Sequence, residues 1–401
     1  MKVLHISYSN DTGGAARAAQ RINESLNVLG IKSEICIVKT NSKNKNLNTT
    51  YPKNFFDKDI LKIKILFAKL FQILCSSFRE KISFNIIPSF YSKFINKSDF
   101  DLVNIHWIGN ETISFDDIKK INKPIVWTMH DMSPFLPIKH YTLDNCDDNS
   151  IIKFFSTINF KRKKKLYQNI NNFIAVSSWL KMQAENSELL NKKKINIVGN
   201  TIDTDFWVKS KINTLRKKYK IPDSHLIIGF GGLFDIKNPY KGIDCLNYII
   251  KSLNKKHQIT FVTLGNNKIL VNQKKINIIN LGYLSRDEKI LEFYSSLDIY
   301  LNLSSKEAFG QTVLEAQSCS VPCIIFNNTG STDIISKKKN NGWIFKKKQI
   351  NLLVSKLIKL SKNNKKLKAM KLNSRNNAVN NFGYNIIARK YVKIYKNCIK
   401  N

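Results

Sequence analysis

The stretch Ser304–Gln317 (SSKEAFGQTVLEAQ) carries two carboxylates, Glu307 and Glu315, eight residues apart at a change of hydrophobic period. Ile299–Leu303 reads as a strand and Gly310–Gln317 as the opening of a helix, which puts Glu307 in the loop and Glu315 two turns along the helix. Ionised carboxylates accept hydrogen bonds from paired hydroxyls, so two of them suit the diols of a sugar and of a ribose. Ala308, Phe309 and Gly310 would present backbone N–H groups at the helix start, where unbonded donors and the helix dipole favour a hydroxyl or a phosphate. The plainer alternative is an exposed helix with ordinary surface glutamates, and the strand-to-helix placement argues against it.

Three other stretches follow strands in the same way. Gly231–Gly242 (GGLFDIKNPYKG) includes Lys237 and Lys241, and a lysine in such a loop can neutralise a departing diphosphate. In a lysine-rich chain these could equally be solvated side chains; the glycines at both ends of the stretch favour function. Gly13 and Gly14 (SNDTGGAARAA) open the first helix directly after the first strand, where a phosphate or sugar can approach the backbone closely. Many such turns hold glycine only for packing. The fingerprint G-x-G-x-x-G is absent, which counts against a nicotinamide or flavin enzyme. Trp127–Phe135 (WTMHDMSPF) sets His130 and Asp131 just past a strand end, the side of an open α/β sheet on which ligands bind. A single histidine is more often structural than catalytic, and its position past the strand end brings the two readings level.

These positions require strands and helices in alternation, and the chain supplies them. Val3–Tyr8, Glu34–Val38, Leu102–Trp107, Ile125–Met129, Phe173–Val176 and Ile195–Val198 read as strands, with helix Ala15–Leu29 capped by Gly30 between the first two. After the polar stretch Lys209–Pro222 the pattern restarts at Leu226–Phe230, and continues with Phe261–Leu264, Ile276–Leu281, Ile299–Leu303, Cys323–Phe326 and Trp343–Phe345. Short joints imply parallel pairing and two doubly wound sheets. The expected division is 1–210, 211–382 and a terminal helix in 383–401, free to pack on either domain.

Size and composition agree: 401 residues suit two cores, and 43% hydrophobic residues can fill them. The net charge of +37 is spread along the whole chain, mostly as lysine. That favours compositional bias first, attraction to an anionic membrane second and nucleic acid last, because nucleic-acid readers concentrate charge on one face. The seven cysteines are scattered, and only Cys319 and Cys323 lie close, with no partners for a zinc site. Reduced thiols in a cytoplasmic protein are expected. Neither a signal peptide nor a bilayer-spanning run is visible. Asp59–Phe78 is apolar around most of a helix with a narrow polar stripe; burial in the N-terminal domain is the first expectation, an interfacial helix on a membrane the second.

Taken together, these stretches resemble glycosyltransferase family 4, retaining enzymes with the GT-B fold of two Rossmann-like domains facing across a cleft. The E-x₇-E pair Glu307 and Glu315 is the most specific element. GGAARAA, NIHWIG at Asn104–Gly109, WTMHDMSPF, AVSSW at Ala175–Trp179 and GNTID at Gly199–Asp203 add to it. WTMHDM and NIHW look most like a branch that works in bacterial surface polysaccharide assembly. The resemblance implies that Glu315 holds the ribose and Glu307 the donor sugar, with Phe309 and Gly310 giving backbone contacts. It implies that Lys241 meets the diphosphate, Gly14 approaches the phosphate or sugar, and His130 lies at the reaction centre. The chain departs from the pattern at Gly232 and Tyr240, where many members carry arginine, and after His130, where residues 136–139 replace glycines.

The function so implied is metal-independent transfer of a hexose or related sugar from a UDP- or GDP-sugar, without a cofactor. The acceptor is expected to be a lipid-linked saccharide in capsule or O-antigen synthesis, at the inner face of the plasma membrane. The acidic pairs Asp116–Asp117 and Asp147–Asp148 read as solvated, not as a metal site. The alternatives are a sugar-nucleotide 2-epimerase of the same architecture and a non-enzymatic basic protein that binds nucleic acid or membrane.

Overall fold

Each apolar run read as a strand forms one, and all pair in parallel. The computed structural model describes residues 1–10, 13–39, 49–50, 63, 66–67, 70, 82–89, 91–142, 150–210, 214–231, 240–265, 276–336, 338–363 and 365–400. Two units result: Met1–Thr201 together with Tyr384–Asn401, and Ile202–Gly383.

In the first unit the strands are β1 (Lys2–Ser9), β2 (Lys32–Lys39), β3 (Thr49–Thr50), β4 (Leu102–Ile105), β5 (Ile125–Met129), β6 (Asn172–Ala175) and β7 (Lys194–Ile197). Their order is β3-β2-β1-β4-β5-β6-β7, so the direction of winding reverses between β1 and β4. The two-residue β3 has no hydrophobic signature and was not anticipated. All four residues of β4 are buried, as expected of a parallel strand covered on both faces. Helix Gly14–Val28 buries Ala16, Ala18, Ala19, Ile22 and Leu26, and Ala19 packs with Ile35 and Ile37 of β2. It ends where Gly30 and Ile31 donate their N–H groups to the Asn27 and Leu26 carbonyls, a closure that satisfies otherwise orphaned acceptors.

The terminal helix Tyr384–Lys400 belongs to this unit. Ile387, Ala388, Tyr391, Tyr395 and Cys398 form its buried stripe. Tyr395 Oη accepts from Asn104 Nδ2 of β4 at 2.6 Å, and Tyr384 Oη donates to Glu24 of the first helix at 2.6 Å.

Two carboxylates organise the irregular chain before β4. Glu111 is buried and accepts from the N–H groups of Phe84 (3.1 Å), Asn85 (2.6 Å), Ile86 (2.6 Å) and Ile87 (3.2 Å). Asp117 is buried as well, which corrects the reading of Asp116–Asp117 as a solvated pair. Its carboxylate accepts from the Ser89 N–H and from the Ser89 and Ser114 hydroxyls, while Asp116 stays exposed and pairs with Arg162 at 3.1 Å. Asp147–Asp148 lie outside the described residues. So does most of segment 59–78; its described residues Ile63, Leu66, Phe67 and Leu70 are helical and exposed, so they do not bear out the burial expected first.

In the second unit the strands are β8 (Leu226–Gly231), β9 (Ile259–Leu264), β10 (Asn277–Asn280), β11 (Ile299–Asn302), β12 (Cys323–Phe326) and β13 (Gly342–Phe345), in the order β10-β9-β8-β11-β12-β13. Winding reverses between β8 and β11. Its core joins Phe230, Leu246, Ile249, Phe261, Leu301 and Leu357 in one cluster. Cys245, Cys319 and Cys323 are buried and unbridged, and burial raises each thiol above its ordinary value, with the nearby Asp244 and Glu315 carboxylates adding to this for Cys245 and Cys319. Among the described residues no helix is long and apolar enough to cross a membrane.

Glu111→Gln should leave one pair of N–H groups, Ile86 with Ile87 or Phe84 with Asn85, facing an amide nitrogen that cannot accept. We expect a loss of about 3 kcal/mol, read as a lower urea midpoint for the first unfolding transition.

Candidate active site

The second unit brings its predicted residues to the switch point. Lys241 follows β8 and Glu307 follows β11, and Lys241 Nζ donates to Glu307 Oε2 at 2.7 Å. Both side chains keep part of their surface, 24% and 18% respectively, so the pair is open to a ligand. The two loops are also tied through backbone: Ser305 N–H donates to the Tyr240 carbonyl at 2.8 Å, and Gly330 N–H to the Glu307 carbonyl at 2.7 Å.

Glycine is obligatory at two corners of this site. Gly310 caps helix Gln311–Ser318 at φ 98°, and a Cβ there would lie 2.2 Å from Ser331 Oγ. Gly242 caps helix Ile243–Lys251 at φ 73°, where a Cβ would lie 2.1 Å from the Leu303 carbonyl oxygen. Side chains rarely adopt either conformation. These close approaches set Lys241 against the end of β11.

Glu315 sits on helix Gln311–Ser318, one turn in, and is buried; Tyr294 Oη donates to its Oε2 at 3.1 Å. Burial first, and then the Glu315 carboxylate, push the Tyr294 phenol far above its ordinary value, so it stays a donor at any physiological pH. Tyr300, on β11, donates to the Gly231 carbonyl. Its phenol is raised mainly by burial, with Glu315 and Glu307 both adding to the rise. The two carboxylates thus act on one phenol. Ala308 and Phe309 are buried, and the Phe309 ring packs edge-on against Phe382 at 5.8 Å. Lys237 and Gly232 lie outside the described residues.

The first unit places His130 directly after β5, but not as a single histidine. His130 Nε2 lies 2.8 Å from His106 Nδ1, and His106 Nε2 lies 2.7 Å from His5 Nδ1. The rings stack at 5.0–5.1 Å. Burial holds the His5 imidazole down at about 3 and that of His130 at about 4, and it keeps His106 well below its ordinary value with help from both neighbours. All three are neutral at pH 7. His5 and His106 were not singled out in the sequence, although His106 stands in the NIHW motif.

Asp131 points elsewhere. Its Oδ2 accepts from Trp107 Nε1 at 2.8 Å and from His140 Nδ1 at 2.7 Å. Burial pushes its carboxyl up, but His140 and the Ser133 hydrogen bonds outweigh that and hold it below the ordinary value. Lys163 is buried beneath this loop, donates to the Ser133 and Leu136 carbonyls, and is pushed down to about 7 by burial. Gly14 opens helix Gly14–Val28, and a Cβ on it would meet nothing within 4 Å. Residues 11–12 before it are outside the described chain. Among the described residues no three His, Cys, Asp or Glu side chains group as metal ligands.

Residues 211–377 match the family model for glycosyl transferases group 1, nearly the whole second unit. The chain is 22% identical over 347 residues to the capsular polysaccharide biosynthesis glycosyltransferase CapM of Staphylococcus aureus, covering 78% of this chain and 90% of that one. It is 27% identical over 209 residues to the UDP-Gal:alpha-D-GlcNAc-diphosphoundecaprenol alpha-1,3-galactosyltransferase of Escherichia coli, covering 49% and 58%. Among solved structures, HepE of Anabaena in complex with UDP-glucose superposes with a TM-score of 0.65 at 14% identity, over 99% and 100% of the two chains. The fold is therefore the pair of Rossmann-like domains of GT-B glycosyltransferases.

A neutral buried histidine must be charged when the chain unfolds in acid. The unfolded chain binds the proton near 6.5 and folded His130 only near 4, so stability is full above 6.5 and is lost as pH falls through this window. Wild type should lose on the order of 3 kcal/mol more than His130→Gln between these limits, measured as the pH dependence of the urea midpoint.

Proposed function

We propose that the protein is a retaining glycosyltransferase that moves a sugar from a UDP- or GDP-sugar to a hydroxyl of a lipid-linked saccharide. Its place would be the assembly of a surface polysaccharide such as capsule or O-antigen. The observation that carries this reading is the Lys241–Glu307 pair at the switch point of the second sheet, inside the region that matches group 1 glycosyl transferases. The names of the relatives, a capsular glycosyltransferase and a transferase acting on a diphosphoundecaprenol-linked sugar, support the acceptor class.

In this reading the ion pair is the resting state. When donor binds, Lys241 Nζ turns to the diphosphate and Glu307 is released to accept from sugar hydroxyls, so neither charge is ever left uncompensated. Glu315, held by Tyr294, accepts from the ribose diol. The Phe309 and Gly310 N–H groups at the helix start meet the donor, as does Lys237 from the same loop as Lys241. Gly14 gives the phosphate or sugar room at the first helix, and His130 meets the sugar at the reaction centre. Charge on the leaving diphosphate is stabilised by Lys241 and backbone dipoles, without a metal ion or cofactor.

The exposed apolar residues Ile63, Leu66, Phe67 and Leu70, together with the net charge of +37, support peripheral contact with the cytoplasmic face of an anionic membrane. Leu66→Glu with Leu70→Glu should abolish co-sedimentation with anionic vesicles while leaving the melting temperature unchanged; undiminished sedimentation would refute the contact.

Glu307→Gln and Lys241→Ala should each lower transfer by at least about a hundredfold with unchanged circular dichroism. Donor class is found by thermal shift against UDP- and GDP-sugars, since binding to the native state raises its melting temperature. Release of nucleoside diphosphate only in the presence of an acceptor separates transfer from 2-epimerisation. Full activity in either variant would remove that residue from the mechanism.

A further inference from the structure

The three stacked histidines form one link in a longer chain of hydrogen bonds whose direction is fixed at its far end. On helix Gly14–Val28, Asn23 Oδ1 accepts from Ser33 Oγ of β2 at 2.7 Å. The Ser33 hydroxyl has one proton, and that bond uses it. Its contact with His5 Nε2 at 3.0 Å must therefore be one in which His5 Nε2–H donates. A neutral imidazole with a proton on Nε2 has a bare Nδ1, so His106 Nε2–H donates to His5 Nδ1. By the same step His130 Nε2–H donates to His106 Nδ1. The chain thus runs across β5, β4, β1 and β2 with all its donors pointing the same way.

We infer that Asn23 and Ser33, acting through His5 and His106, are positioning residues that lock His130 in the Nε2–H tautomer and present its Nδ1 as a hydrogen-bond acceptor for a substrate hydroxyl. His130 Nδ1 is the end of the chain: it is buried and has no partner among the described residues. A lone pair kept from water without a donor is a standing cost, and a bound hydroxyl removes it. Asp131, the nearest carboxylate in sequence, is engaged by Trp107 and His140 and does not compete for the site. A donor at Nδ1 would suit a phosphate oxygen; an acceptor there selects the hydroxyl of a sugar. The identity of that hydroxyl rests on the glycosyltransferase reading above, but the tautomer does not.

The test is imidazole nitrogen NMR on the full chain labelled at histidine, near neutral pH. His130, His106 and His5 are expected to show pyridine-type Nδ1 and pyrrole-type Nε2 signals. In Ser33→Ala the lock is released, and His130 should gain a population of the Nδ1–H form. Transfer by Ser33→Ala should fall about tenfold, the worth of one hydrogen bond at the transition state, with Ser33→Thr restoring both tautomer and rate. A His130 that is Nδ1–H or doubly protonated in wild type overturns the proposal, as does a tautomer unchanged by Ser33→Ala. If the tautomer pattern is as expected and no sugar transfer is found with any donor, the lock stands and the function fails.

Discussion

A parallel sheet whose strand order reverses sends its crossover connections to opposite faces, and the strand ends on either side of the reversal are left uncovered. Both units obey that constraint, between β1 and β4 and between β8 and β11. Several of the candidate site residues stand at these ends. Gly14 follows β1, His106 follows β4, Lys241 follows β8 and Glu307 follows β11. The hydrophobic cores beneath these ends are ordinary. They matter because they fix the strand ends to within the distance over which a 2.7 Å ion pair can form.

Much of this was legible in the sequence, and what was not shares one cause. Strands such as Cys323–Phe326 are short apolar runs, and a period is a local property that one chain reveals. Glu307 and Glu315 were legible for the same reason, being neighbours on one loop and helix. The pairing of Lys241 with Glu307 was not, because 66 positions separate them. The histidine chain was harder still: His5 and His106 lie inside or beside apolar runs, where a histidine looks like an interruption of the strand. Only the register of β1 with β4, His5 opposite Asn104, puts the rings in contact. Asp117 misled in the other direction. Two adjacent acidic residues look solvated, yet one of them is buried, accepts from the Ser89 and Ser114 hydroxyls and anchors a loop.

The charge of the chain takes on a different aspect beside these contacts. Only 29 residues are acidic against 66 basic, yet Glu111, Asp117, Asp131 and Glu315 are all buried and hydrogen-bonded. Burying a carboxylate is costly unless its lone pairs are answered, so these four are held where the fold or the site requires them. Among the described residues the lysines are mostly exposed or half-buried, where they cost little, Lys163 being a buried exception.

The last helix, Tyr384–Lys400, completes the first unit, while everything from Ile202 to Gly383 forms the second. The second unit is therefore an insertion in the first. On a ribosome, β1 and β4 emerge before the second unit, but the buried stripe of Tyr391 and Tyr395 and the bond from Asn104 to Tyr395 are unavailable until that unit has been made. Domains fold as units as they emerge. Here the order is inverted: the later unit has all its parts first, and the earlier one must wait with part of its core exposed. A chain cut short before Tyr384 would keep every element of the second unit and leave the first without its final layer.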